Sequence, residues 1–160
     1  KSRGNPLQMT CFVDSDHAGD LVTRRSRTGV VILINRAPVV WYTKKQGSIE
    51  TSSFGSEFSA MKTGIELVVG LRYKLRMMGV PLQGPTRVLA DNMSVVNNTS
   101  RPESQLKKKS NSIAYHFCRE VVASKAAFVT YEPTETNIAD MLTKTQDCKT
   151  RKGLASSLLR

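Results

Sequence analysis

Cysteine and histidine are scarce in this sequence, and their scarcity excludes several classes of site. The three cysteines, Cys11, Cys118 and Cys148, cannot all pair, and none lies in a Cys-x-x-Cys spacing. A disulfide framework is therefore not expected, and we predict reduced, mostly buried thiols. The two histidines, His17 and His116, lie far apart in the chain. We expect them to pack or to face solvent rather than to bind zinc.

Long apolar runs are also absent. No stretch approaches the roughly 20 apolar residues that cross a bilayer, and the first residues, KSRGNPLQMT, lack the apolar centre of a signal peptide. We therefore expect a soluble, intracellular protein that makes no membrane contact. The chain begins without methionine on a short polar lead, which suggests a fragment of a longer polypeptide.

Acidic residues are few compared with basic ones. The 160 residues contain 24 Lys and Arg against 13 Asp and Glu, a formal net charge of +11. Such an excess indicates a polyanionic partner, although a basic surface that serves solubility alone is the alternative. An apolar share of 39% is ordinary for one globular domain with a core.

The hydropathy pattern predicts a sheet covered by helices. Strand-like runs lie at 10–13, 29–35, 37–45, 86–91 and 126–133, the first three forming antiparallel neighbours. A long amphipathic helix follows the third run, with Thr51, Ser52 and Ser53 as cap candidates and Gly79 and Pro81 at its end. Its apolar stripe consists of Phe54, Phe58, Met61, Ile65, Val68, Leu71, Leu75 and Met78.

Shorter helices are predicted at 92–98, within 106–124 and at 136–144. The simplest assembly of these elements is an α/β domain with one mixed sheet flanked by helices. We assign 1–9 as a linker from an upstream polypeptide and 10–145 as the domain. The segment 146–160 is a C-terminal tail, either helical or loose.

Four separated carboxylates are the candidate reactive centre. Asp14 and Asp91 follow apolar runs at the ends of two predicted strands, and parallel strands would bring both to one sheet edge. Glu57 lies on the apolar stripe of the long helix, where a carboxylate is costly unless paired, protonated or metal-bound. A Glu57 head turned to water is the alternative. Asp140 begins the last short helix, and complementing the helix dipole is its alternative role.

Oxygen donors without a histidine or cysteine array favour a hard cation, Mg²⁺ or Mn²⁺, over zinc. Two such ions about 4 Å apart can activate a water and stabilise the leaving oxygen of an in-line phosphodiester displacement. That chemistry is compatible with a basic protein that binds a polyanion.

Four blocks carry a family resemblance: FVDSDHAGD, SSFGSEFSA, DNMSVV and IADMLTK. In this order and spacing they resemble the RNase H domain that ends copia-type LTR retrotransposon polyproteins. The resemblance implies a ribonuclease H with sheet order 3-2-1-4-5. It implies that Asp14, Glu57, Asp91 and Asp140 hold two Mg²⁺, which Mn²⁺ can replace, and hydrolyse the RNA strand of RNA/DNA hybrids. It also implies a reverse-transcriptase domain in the same polyprotein, and a location in a cytoplasmic virus-like particle or the nucleus.

One departure concerns the loop before Asp140. Many cellular RNases H carry a histidine there, whereas this loop reads EPTETN at 132–137. Slower or differently assisted turnover is the expected consequence.

Basic clusters are candidates for holding nucleic-acid phosphates, and a solvated face is the alternative for each residue. Ser15 and Asn92, beside two proposed ligands, are candidates for minor-groove contact with 2′-hydroxyls. The basic candidates are Arg24, Arg25, Arg27, Lys44, Lys45, Lys107, Lys108 and Lys109.

Two other functions remain open. A catalytically silent RNase H-like module that only binds nucleic acid would keep the fold without the chemistry. A nuclease of the same superfold that cuts DNA would keep the chemistry with another substrate. Oligomeric state is left open.

Overall fold

The computed structural model describes residues 7–80, 82–106 and 109–158. The strands are β1 (Met9–Asp16), β2 (Arg27–Ile34), β3 (Ala37–Lys45), β4 (Thr86–Ala90) and β5 (Ala127–Tyr131). The helices are α1 (Ser53–Met77), α2 (Met93–Ser100), α3 (Ser112–Ala123) and α4 (Cys148–Leu158). Two 3-10 turns cover Lys109–Asn111 and Ile138–Leu142.

The strands form one mixed sheet in the order β3-β2-β1-β4-β5. β2 pairs antiparallel with both β1 and β3, whereas β4 pairs parallel with both β1 and β5. The predicted α/β fold class, with five strands in the order 3-2-1-4-5 and the first three antiparallel, is confirmed. This topology puts β1, and with it Asp14, in the middle of the sheet.

Alternating side chains divide the core between the two faces of the sheet. Val30 and Ile32 of β2 belong to the larger cluster, with α1 and α3. Val31 belongs to a smaller cluster with Ile138, Ala139 and Leu154, so the last 3-10 turn and α4 pack on the opposite face. The sheet is therefore covered on both sides.

The long helix α1 is confirmed, and its capping and close docking set its position. The Ser52 side chain accepts a hydrogen bond from the Gly55 amide at the N-terminus. After the C-cap Met78, Gly79 takes a φ of 77°, a conformation that glycine adopts without strain. The predicted stripe is buried at four consecutive members, Phe58, Met61, Ile65 and Val68, whereas its last member, the C-cap residue Met78, is exposed.

Gly64 lets α1 approach β1 closely. A β-carbon built at this position would lie 2.3 Å from Val13 Cγ1, closer than two carbon atoms can approach. Since Val13 is itself buried in the core, the neighbouring side chain has little room to move. The absence of a side chain at Gly64 thus fixes the distance between α1 and the strand that carries Asp14.

The later helices differ from their predicted form. α3 begins at Ser112, because the preceding polar residues form a 3-10 turn in which Ser110 bonds the Asn111 side chain. The predicted helix over 136–144 is a 3-10 turn, Ile138–Leu142, capped by Asn137. α4 lies within the segment assigned as the tail, and its Leu154 is buried.

Cys11 and Cys118 are buried and Cys148 is exposed, all three as free thiols. His17 and His116 are both exposed. Within the described parts of the chain, no helix combines the length and the apolar character needed to cross a bilayer.

Candidate metal centre

Asp14 and Asp91 meet at the edge where parallel pairing stops. The pairing of β1 with β4 ends at Val13 and Ala90, and the residue that follows each of them is an aspartate. β1 continues beside β2 as far as Asp16, so Asp14 lies within the strand rather than at its predicted end. The predicted convergence of the two acids at one sheet edge nevertheless describes the structure.

Glu57 joins these two acids from α1. One carboxylate oxygen from each of Asp14, Glu57 and Asp91 lies within 4.8 Å of the others. We call this group the three-acid cluster. Asp14 is fully buried, whereas Glu57 and Asp91 are half-buried. Three carboxylates this close repel one another unless protons or a cation reduce the charge.

The crowding changes the protonation of the cluster. Burial, followed by the charges of Asp14 and Asp91, raises the pKa of Glu57 from 4.5 to about 9. Burial also raises the pKa of Asp14 from 3.8 to about 6, although the Thr143 hydrogen bond and Lys144 oppose the shift. A bound cation would favour the ionised form of both groups.

The oxygens of the cluster fit a divalent cation. Asp14 Oδ2 accepts a hydrogen bond from the Thr143 hydroxyl. Asp14 Oδ1 is buried and has no hydrogen-bond partner among the described residues. A buried oxygen without a donor is costly, and a cation satisfies it. Because all three residues offer carboxylate oxygen, the donor set suits Mg²⁺ or Mn²⁺.

Asp140 lies beside the three-acid cluster but outside the set within 4.8 Å. It is 6% exposed, accepts hydrogen bonds from Lys144 and Gln146, and its charge contributes to the raised pKa of Asp14 and Glu57. Asn137 anchors this segment by donating to the Val13 carbonyl at 2.9 Å. The structure thus brings three of the four predicted acids together and leaves Asp140 paired nearby.

Four partners of these acids were missed by the sequence reasoning. Thr143, Lys144 and Gln146 surround Asp14 and Asp140, and Thr134 donates to Asp91 Oδ2 at 2.8 Å. Thr143 and Lys144 belong to the IADMLTK block, so that block contained a signal for them. Thr134 lies in the loop EPTETN, which has no histidine, and its neutral hydroxyl binds the Asp91 carboxylate.

The nucleic-acid candidates fall into four groups. Ser15 is only 3% exposed, and its contact with a minor groove stays a prediction. Asn92 is half-buried, and its Oδ1 caps α2 by accepting from the Ser94 and Val95 amides. Lys107 and Lys108 lie outside the described residues. The remaining candidates are exposed: Arg24, Arg25, Arg27, Lys44, Lys45 and Lys109.

A cleft of about 380 Å³ adjoins the site on the side of the 3-10 turn. Arg25, Arg27, Lys45 and Lys144 contribute basic side chains to its lining. Lys45 is bound to Asp20, which lowers the pKa of that carboxyl group.

No protein-family model matches the chain, but individual relatives do. It is 28% identical over 142 residues to the retrovirus-related Pol polyprotein from transposon RE2 of Arabidopsis thaliana, covering 89% of this chain. It is 30% identical over 134 residues to that from transposon TNT 1-94 of Nicotiana tabacum, covering 83%. The chain spans about a tenth of the length of these relatives.

Solved structures share the fold at low identity. RNase H1 from the archaeon Halobacterium salinarum superposes with a TM-score of 0.65 at 14% identity, covering 85% of this chain and 94% of that one. LC11-RNase H1 in complex with an RNA/DNA hybrid gives 0.65 at 16% identity, with the same coverage. The chain therefore has the RNase H fold and relatives among the Pol polyproteins of transposons, which confirms the resemblance and fits an RNase H domain of a retrotransposon polyprotein.

Proposed function

We propose that this domain is an endoribonuclease that hydrolyses the RNA strand of RNA/DNA hybrids with divalent cations, Mg²⁺ or Mn²⁺. The observation that carries the proposal is the three-acid cluster, whose ligand oxygens lie within 4.8 Å of one another at the edge of an RNase H-fold sheet. Conversely, a module that only binds nucleic acid would gain nothing from one buried and two half-buried carboxylates that repel one another.

Some residues of the site would bind the cations, and others would orient those ligands. Asp14, Glu57 and Asp91 would hold one cation, and Asp140 would share a second with Asp14. Bound divalent cations supply charge stabilisation and water activation for an in-line displacement at phosphorus. The hydroxyl of Thr143 fixes Asp14, and that of Thr134 fixes Asp91. The Asn137 bond to the Val13 carbonyl keeps the Asp140 segment against β1.

The basic residues would position the substrate. The cleft is lined by Arg25, Arg27 and Lys45 and adjoins Lys144. A nucleic-acid backbone whose phosphates bind in this cleft would therefore continue into the site. Such contacts hold a duplex in place without reading its sequence. Arg24, Lys44 and Lys109 extend the exposed positive surface. The side-chain NH2 group of Asn92, next to Asp91, remains a candidate for contact with a 2′-hydroxyl.

The relatives suggest the wider context. Because they are Pol polyproteins about ten times longer than the matched segment, we propose that a reverse-transcriptase domain of the same polyprotein presents the hybrid. The boundaries 1–9, 10–145 and 146–160 remain predictions of the sequence.

A cleavage assay on three duplexes of one sequence, with a metal-free control in EDTA, tests the function. With Mg²⁺, we expect cuts in the RNA strand of an RNA/DNA hybrid only, and none in DNA/DNA, RNA/RNA or hybrid with EDTA. Hybrid binding without cleavage would favour a silent module, and cleavage of duplex DNA would favour another nuclease of the superfold. Cleavage that persists in purified Asp91→Asn would contradict the assigned site.

A further inference from the structure

Lys144 lies between two of the proposed metal ligands. Its Nζ donates to Asp140 Oδ1 and lies 3.7 Å from Asp14 Oδ1. That oxygen of Asp14 is the buried one that lacks a hydrogen-bond partner. The ammonium therefore approaches the atom that is best placed to ligate a cation.

Lys144 is also the cation that balances the site. Among the described residues, it alone forms ion pairs with any of Asp14, Glu57, Asp91 and Asp140. Within the described chain its positive charge is the one paired with these acids, and together with bound protons it reduces their repulsion in the metal-free site.

The side chain can leave without disturbing the fold. The Lys144 side chain is 42% exposed, whereas the side chains of Asp14 and Asp140 that it contacts are 0% and 8% exposed. A flexible lysine at the surface can turn its ammonium into water at small cost. The buried acids cannot move away in the same manner.

We propose that Lys144 is an internal counter-ion that neutralises Asp14 and Asp140 in the metal-free protein and withdraws when a divalent cation binds. An ammonium and a divalent cation at one carboxylate repel each other, so the lysine must be displaced. Lys144 thereby weakens metal binding and sets the cation concentration at which the site fills. The inference rests on the proposed metal site, but it concerns affinity rather than cleavage.

A different role would make a different prediction. If Lys144 served only to hold a substrate phosphate, its removal would leave Mg²⁺ affinity unchanged in the absence of nucleic acid. If it instead oriented Asp14 and Asp140 for the metal, its removal would weaken Mg²⁺ binding. The affinity of the free protein distinguishes all three roles.

Isothermal titration of Mg²⁺ into protein without nucleic acid tests the proposal. Lys144→Met is compared with Lys62→Met, since Lys62 is 38% exposed and also pairs with an acid four residues on, Glu66. We expect Lys144→Met to lower the Kd for Mg²⁺ by about threefold or more, and Lys62→Met to leave it unchanged. An unchanged or raised Kd in Lys144→Met would overturn the inference.

Lysine ammonium NMR of the wild-type protein covers the case in which Lys144→Met does not fold. With 15N-labelled lysine, and Lys144→Arg for assignment, saturating Mg²⁺ should move the Lys144 Nζ signal to that of a free lysine while Lys62 stays fixed. A Lys144 signal that does not move at saturation would overturn the proposal. A wild-type protein that binds no Mg²⁺ would instead contradict the proposed metal-dependent function itself.

Discussion

The three-acid cluster and the segment that carries Asp140 hold their carboxylates in contrasting ways. Asp14 lies in β1, Asp91 directly follows the adjacent parallel strand β4, and Glu57 belongs to a 25-residue helix docked on these strands. Regular structure therefore brings these acids together. Asp140 lies in a five-residue 3-10 turn and is already paired with Lys144 and Gln146. One region is rigid and electrostatically unsatisfied, whereas the other is locally satisfied.

The contrast indicates where cation affinity comes from. A preformed group of close carboxylates gains most from a cation, because the ion removes repulsion that the fold imposes. A paired carboxylate must first give up its partners, which offsets part of the gain. The three-acid cluster should therefore dominate binding and catalysis, with Asp140 as the adjustable member.

Cleavage rates should show the largest difference between the regions. We expect Asp14→Asn to lower Mg²⁺-dependent cleavage of the hybrid by about 10³-fold or more, since a metal ligand is worth several kcal/mol of transition-state stabilisation. Asp140→Asn should cost only about 10- to 100-fold. Single-turnover cleavage rates on one hybrid compare the two variants. Equal losses of rate would show that the three-acid cluster and Asp140 contribute equally to catalysis.

The rigid region should be sensitive to the spacing between α1 and β1. Gly64→Ala introduces a carbon 2.3 Å from Val13 Cγ1, an overpacking worth about 1–3 kcal/mol of unfolding free energy. Gly70→Ala on the same helix meets nothing within 4 Å and should stabilise by up to about 1 kcal/mol. Urea unfolding compares the two, and a stable Gly64→Ala would mean that the close approach is unimportant.

Stability without metal should change in opposite directions in the two regions. At pH 8 in EDTA, Asp14→Asn should raise the free energy of unfolding by on the order of 1 kcal/mol, because it removes a buried, repelled charge. Asp140→Asn should lower it by about 1 kcal/mol, because it weakens the bonds to Lys144 and Gln146. Thermal unfolding in EDTA measures the signs, and the same sign in both variants would refute the contrast.

The stability of the metal-free protein should also depend on pH through Glu57. Its folded pKa of about 9 exceeds the ordinary 4.5, so in this window the folded state keeps a proton that the unfolded state has lost. The resulting stability is fully present below pH 4.5 and is lost as pH rises towards 9. The Tm of the metal-free wild-type protein should therefore fall more across this pH range than the Tm of Glu57→Gln. Identical pH profiles would show that Glu57 titrates normally.

Much of the cluster could be predicted because its causes are local in sequence. The apolar runs before Asp14 and Asp91 indicated strands, and the spacing of Phe58, Met61 and Ile65 indicated the helix that carries Glu57. Parallel pairing then required Asp14 and Asp91 to meet. The resemblance added Asp140 and the strand order.

The remaining features depend on contacts between distant segments. Thr143 bonds Asp14 across 129 positions of sequence, and no periodicity encodes such a contact. Ser15 was predicted to contact a minor groove, and its burial in the central strand of the sheet could not be read from the sequence. The start of α3 was predicted too early because polar side chains before Ser112 favour a 3-10 turn over the helix.

Anomalous diffraction from crystals soaked in Mn²⁺ tests the preformed cation site most directly. The account predicts a manganese peak coordinated by Asp14, Glu57 and Asp91, with the Lys144 ammonium turned away from Asp14. A saturated crystal with no peak among these three carboxylates, or with manganese bound elsewhere, would contradict it.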